Sequence, residues 1–175
     1  FTIFSVFANY VRYALLRPSS VVTATKWINN NIPSGSKIIN IGLTIPLNES
    51  KDVIRYIEKN NPQFLTKRQS YMLSMDEENY PKPNYHIFER GIYKNSILPE
   101  ILNMNFDYVI ISWYSDGYDS VLSQAESYGA REENLIKKFP ENATANSFST
   151  TIESIRWPLF NLSKVTYNGP AVAIY

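Results

Sequence analysis

Two β-branched runs most constrain what this chain can fold into: Lys37 to Leu43, and Phe106 to Ser112 with Val109-Ile110-Ile111 at its centre. Each is too short for a buried helix and is bounded by breakers, so each reads as a buried strand. Runs that are apolar on both faces belong to the interior of a parallel sheet covered by helices. The intervening sequence supplies those helices. Ser19-Ser20 caps a helix through Asn29, with Val21, Ala24, Thr25 and Ile28 as its buried stripe. The stretch from Asn30 to Gly35 then breaks it. Glu49 to Lys59 places Val53, Ile54 and Ile57 inward at helical spacing.

Further along, Ser70 to Met75 reads as another strand, and Asp76 to Asn84 as an acidic surface loop holding Pro81 and Pro83. Tyr85 to Tyr93 takes no single assignment. Ser96 to Met104 reads as a short helix with Pro99 in its first turn. Ser120 to Lys138 reads as one or two helices broken near Gly129, and Glu141 to Thr151 as a polar loop. Lys164 to Tyr167 and Ala171 to Tyr175 flank Asn168-Gly169-Pro170, the spacing of a terminal hairpin. The expected fold class is therefore α/β: a three-layer sandwich with a mostly parallel central sheet and a C-terminal antiparallel hairpin. Residues 19–175 form one α/β domain in this reading. Residues 1–18 precede it as an amphipathic helix, with Phe4, Ala8, Val11 and Leu15 on one face and Arg17-Pro18 at its end. That helix is either of juxtamembrane type or packed on the domain core.

Charge and composition remove several function classes. The 175 residues carry 17 basic and 16 acidic side chains. The adjacent basic pairs Lys67-Arg68 and Lys137-Lys138 stand alone, so the basic face that nucleic-acid binding needs is missing, and no nucleic-acid partner is expected. No cysteine is present, which rules out disulfides, thiolate metal sites and a cysteine nucleophile. No dinucleotide fingerprint, Walker-type phosphate loop or hydrolase elbow occurs. His86 is the sole histidine, and its spacing from Asp76, Glu77 and Glu78 fits no metal-ligand pattern. Neither a catalytic residue, a metal site nor a cofactor is expected from these residues. Three glycosylation sequons occur, at Asn48, Asn142 and Asn161.

One constellation combines polar and aromatic chemistry directly after the strongest strand: Ser112-Trp113-Tyr114-Ser115-Asp116-Gly117-Tyr118-Asp119. In open α/β sheets, ligands bind outside the carboxyl ends of the strands. Trp113, Tyr114, Asp116, Tyr118 and Asp119 are the candidate ligand-binding residues, because rings and carboxylates together stack on and hydrogen-bond a sugar or a peptide. Turn chemistry accounts for the same residues without a ligand, with Asp119 as a helix cap and Asp116-Gly117 as a turn.

Three segments together resemble a known family. Trp27-Ile28, Asn31, Pro33, Gly35 and Ile38 form the first, and Asp107-Tyr108-Val109-Ile110 with the nearby Tyr114 and Tyr118 the second. The third is the end of the chain, Gly169-Pro170-Ala171-Val172-Ala173-Ile174-Tyr175. Their order resembles the extracytoplasmic C-terminal domain of the dolichyl-phosphate-mannose-protein mannosyltransferase-like membrane glycosyltransferases of the GT-C class. The resemblance implies a non-catalytic accessory domain on the extracytoplasmic face of the cell membrane. It would be tethered to the membrane-embedded region of its parent protein and assist binding of a glycan or protein acceptor. It also implies that the family's catalytic carboxylate lies in a loop outside this chain. The alternative expectation is a cell-surface or envelope interaction domain with no enzymatic parent. A stand-alone α/β enzyme such as a hydrolase, which needs a concave pocket holding His86 or paired carboxylates with perturbed pKa values, is a third.

Overall fold

The computed structural model describes residues 18–89, 105–114, 118–143, 148–149, 165–167 and 169–175. Helix α1, Ser20–Asn31, starts where Ser19 Oγ accepts from the Val21 amide at 3.3 Å. Strand β1, Lys37–Gly42, follows. Helix α2, Lys51–Asn60, is capped by Ser50 and presents Val53, Ile54 and Ile57 inward. Helix α3 spans Lys67–Ser74. Strands β2, His86–Glu89, and β3, Tyr108–Trp113, precede helix α4, Tyr118–Glu126. The short strands β4, Lys137–Phe139, β5, Phe148–Ser149, and β6, Val165–Tyr167, come next. Strand β7, Ala171–Ile174, ends the sequence of elements.

The fold is mixed α/β around a five-stranded sheet in the order β2-β1-β3-β7-β4. β1 runs parallel to both β2 and β3, whereas β7 is antiparallel to β3 and β4. Because side chains alternate along a strand, each buried strand feeds two cores. Ile39, Ile41, Val109 and Ile111 join Val53, Ile57 and Ala125 in one cluster. Ile38, Ile110, Val172 and Ile174 join Ala24, Ile28 and Tyr85 in the other. Thus α1 packs with one set of strand side chains, and α2 and α4 with the alternate set.

Three expectations are corrected. Ser70 to Met75 lies in α3 and the loop after it, not in a strand. Thr66 and Gln69 close a capping box at the helix start, and Met72 is buried one turn after Gln69. A short apolar run has no period long enough to separate strand from helix, and the cap decides it. Lys137–Phe139 is an edge strand, not the end of a helix: α4 stops at Glu126, and Gly129 follows at φ +92°. The Ile136 amide then donates to the Ile174 carbonyl at 2.8 Å and begins the pairing with β7. Finally, β6 and β7 do not form a hairpin. β7 is paired on both edges, by β3 and β4, so no edge is left for β6, which pairs in parallel with β5.

The expected helix at residues 1–18 falls, except for Pro18, outside the described residues, as does the one at Ser96 to Met104. No helix among the described residues is long and apolar enough to cross a membrane.

Candidate functional site

The carboxyl ends of β1, β2 and β3 lie side by side, since Asn40 pairs with Glu89 and Gly42 with Ser112. There the chain leaves β1 through Gly42 at φ +102°, a conformation that L side chains rarely adopt. The turn is held from two sides. Ser112 Oγ donates to the Leu43 carbonyl at 2.8 Å and accepts from the Leu43 amide at 2.7 Å. Asn40 Nδ2 donates to the same carbonyl at 3.0 Å.

Asn40 is a polar residue inside an otherwise aliphatic strand and is 5% exposed. Its Oδ1 is buried without a hydrogen-bond partner among the described residues. An unpaired buried acceptor costs about 1–3 kcal/mol, so its retention needs an explanation. Beside it, the Glu89 carboxylate accepts from Thr44 Oγ1 at 3.1 Å. Burial pushes the Glu89 carboxyl above the usual carboxylate range. The Thr44 and Asn40 hydrogen bonds pull it back, and the Glu49 charge adds to the rise. Asn40, Thr44, Glu89 and Ser112 therefore form a polar cluster at the strand ends.

None of these four was singled out as a ligand residue from the sequence. The available signal was Asn40 followed by Gly42 in a β-branched run. Glu89 lay in the segment without an assignment, and nothing in the chain order announces that it stands next to Asn40.

The expected ligand residues separate. Trp113 is 2% exposed and belongs to the core, with its ring centroid 4.7 Å from that of Tyr118. Its indole Nε1 is buried without a partner among the described residues. Tyr118 is half-buried against the same core and hydrogen-bonds the buried Tyr175. Burial, then that bond, raises the Tyr175 phenol above its ordinary value. Tyr114 is 38% exposed just past β3, and Asp119 is exposed in the first turn of α4. Asp116 lies outside the described residues. Thus Trp113 and Tyr118 serve packing, while Tyr114 and Asp119 remain at the surface.

His86 lies at the opposite, amino end of the sheet. Its Nδ1 is 3.1 Å from Ser50 Oγ, which also caps α2. Lys37, Asp52, Val53, Tyr56, His86 and Phe88 line an open groove of about 180 Å³. Ser50 is buried and committed to its cap, so this pair lacks the exposed, activated hydroxyl of a serine hydrolase. Among the described residues, no three His, Asp or Glu side chains converge as a metal site. At the first sequon, Asn48 Nδ2 donates to the Pro83 carbonyl at 3.1 Å and Ser50 Oγ is the helix cap, so both polar groups are in structural use.

No protein-family model, curated protein or solved structure matches this chain.

Proposed function

We propose that this chain is a non-catalytic accessory domain of a polytopic membrane glycosyltransferase, on the extracytoplasmic face of the cell membrane, where it helps to engage a glycan or protein acceptor. One observation carries this reading: the three segments behind the family resemblance, far apart in the chain, pack together. Trp27 and Ile28 lie on α1, Asp107 to Ile110 enters β3, and Ala171 to Ile174 is β7. Ile28, Ile38, Ile110, Val172 and Ile174 share one core cluster, with Trp27 packed against it. Ser20 Oγ donates to the Pro170 carbonyl and ties the start of α1 to the entrance of β7. A motif set that forms one structural unit is better support than three unrelated matches.

The reading includes a three-layer arrangement, with α1 on one face of the sheet and α2 and α4 on the other; the two core clusters support it. It assigns acceptor engagement to the strand ends, where Tyr114 and the exposed Asp119 offer a ring and a charge.

The test begins with the full-length gene. Its reading frame upstream of Phe1 is expected to encode many hydrophobic spans. Membranes containing the full-length protein are then assayed with a lipid-phosphate-linked sugar donor. Tyr114→Ala with Asp119→Ala is expected to raise the KM for acceptor several-fold while leaving kcat near wild type, as loss of uniform binding requires. An upstream frame with one hydrophobic span or none would point instead to an envelope interaction domain.

A further inference from the structure

We propose that the groove at the amino end of the sheet binds a free α-amino acid with an apolar side chain, its carboxylate on Lys37 and His86 and its ammonium on Asp52. The site is at the opposite end of the sheet from the acceptor-engaging surface, and it does not depend on the accessory-domain reading.

The floor comes from two neighbouring parallel strands. Lys37 and His86 are partners in register, so their side chains leave the same face of the sheet. Phe88, two residues beyond His86, leaves that face too. Helix α2 packs on this face and brings Asp52, Val53 and Tyr56 to the groove. The volume, about 180 Å³, is below that of drug-sized pockets. A cavity of ~150 Å³ holds a benzene ring, so one apolar side chain is the body that fits. The buried Val53 and Phe88 and the half-buried Tyr56 are its contacts.

Ser50 determines what His86 presents. Ser50 Oγ accepts from the Val53 amide, and its other hydrogen-bond contact among the described residues is His86 Nδ1 at 3.1 Å. The Ser50 hydroxyl hydrogen therefore goes to Nδ1, since otherwise it would be buried without an acceptor. Nε2 then carries the ring hydrogen, and this donor has no protein partner among the described residues.

Charge selects the head group. Lys37 and Asp52 line the same groove without pairing with each other. The Lys37 ammonium has no ion-pair partner among the described residues, and the nearby Asp107 carboxylate accepts from the Lys37 backbone amide at 2.8 Å instead. Asp52 meets Arg55 at 3.5 Å, but both side chains are exposed, so this contact is weak. A lone carboxylate in the groove would face Asp52, and a lone amine would face Lys37. A zwitterion meets an opposite charge with each of its groups.

The experiment is a titration of the isotopically labelled 175-residue chain with L-leucine, read by NMR of the backbone amides and the His86 ring nitrogens. Leucine is expected to move the His86 Nε2 signal and the Lys37, Asp52 and Val53 amides along one saturable curve, with a Kd of about 1 mM. Isocaproate is leucine without its amine, and isoamylamine is leucine without its carboxylate. Each is expected to bind several-fold more weakly. Glycine, which lacks the apolar body, is expected to give no saturable shift. Lys37→Gln and Asp52→Asn each remove one charge at an exposed position. Both variants should melt near the wild-type temperature and bind leucine several-fold more weakly. Absence of a saturable shift with leucine would overturn the proposal. So would isocaproate, isoamylamine or glycine binding as tightly as leucine, or leucine following the wild-type curve in both variants. None of these outcomes bears on the accessory-domain reading, which is judged by the upstream gene and by acceptor kinetics.

Discussion

Single residues decide how the sheet ends. At Gly42, an added Cβ would stand 2.1 Å from the Ser112 carbonyl oxygen, and φ is +102°. Both the contact and the backbone oppose any side chain there. Gly42→Ala is expected to lower the unfolding free energy by about 2 kcal/mol or more in urea titration. Gly35 is the built-in comparison: its φ is +88°, but nothing lies within 4 Å of the added atom. Gly35→Ala should cost only the strain, about 1 kcal/mol. Equal losses at the two glycines would mean that the Ser112 contact does not matter. The β-run and its Gly were legible in the sequence, but the collision partner, on a strand 70 residues away (Gly42 to Ser112), was not.

Helix α3 illustrates what determines an element when propensity does not. The chain from Lys67 to Ser74 has few apolar residues and no clear period. Its start is nonetheless specified. Thr66 Oγ1 accepts from the Gln69 amide at 3.2 Å, and Gln69 Oε1 accepts from the Thr66 amide at 2.9 Å. Gln69 Nε2 then reaches Glu49, anchoring the helix next to α2. Thr66→Ala removes one half of this exchange and is expected to cost ~1 kcal/mol. Hydrogen exchange should accelerate in α3 while β3 stays protected, because local opening need not involve the core. Equal acceleration in β3 would show that α3 unfolds only with the whole molecule. The Thr66-to-Gln69 spacing is a sequence signal for a helix start, and it outweighs the short apolar run read as a strand.

For the molecule as a whole, β7 is the joining element. It stands between the parallel strands and the edge strand β4, and all four of its residues are buried. Ile174 is wholly buried and pairs with Ile110 on one side and Lys137 on the other. Ile174→Ala is expected to cost ~2–5 kcal/mol, because a gap there cannot be closed by one neighbour alone. Val22→Ala, on the exposed side of α1, should stay within about 0.5 kcal/mol. Chemical denaturation of both variants measures the contrast. A small effect at Ile174 would mean that β7 is peripheral to the core.

What the sequence determined by itself is the set of local commitments. The β-branched runs of β1 and β3, the serine cap of α1, the inward stripe of α2, and the break at Gly129 rest on periodicity, capping and backbone freedom within a few residues. The α/β class follows from their alternation. Only the tertiary structure decided which strands pair, and therefore that β7 lies inside the sheet and that Trp113 is a core ring. It also brought Glu89 beside Asn40. Pairing depends on which edges are left open after the others close, and burial depends on what packs from distant parts of the chain. Neither quantity exists within any short window of residues.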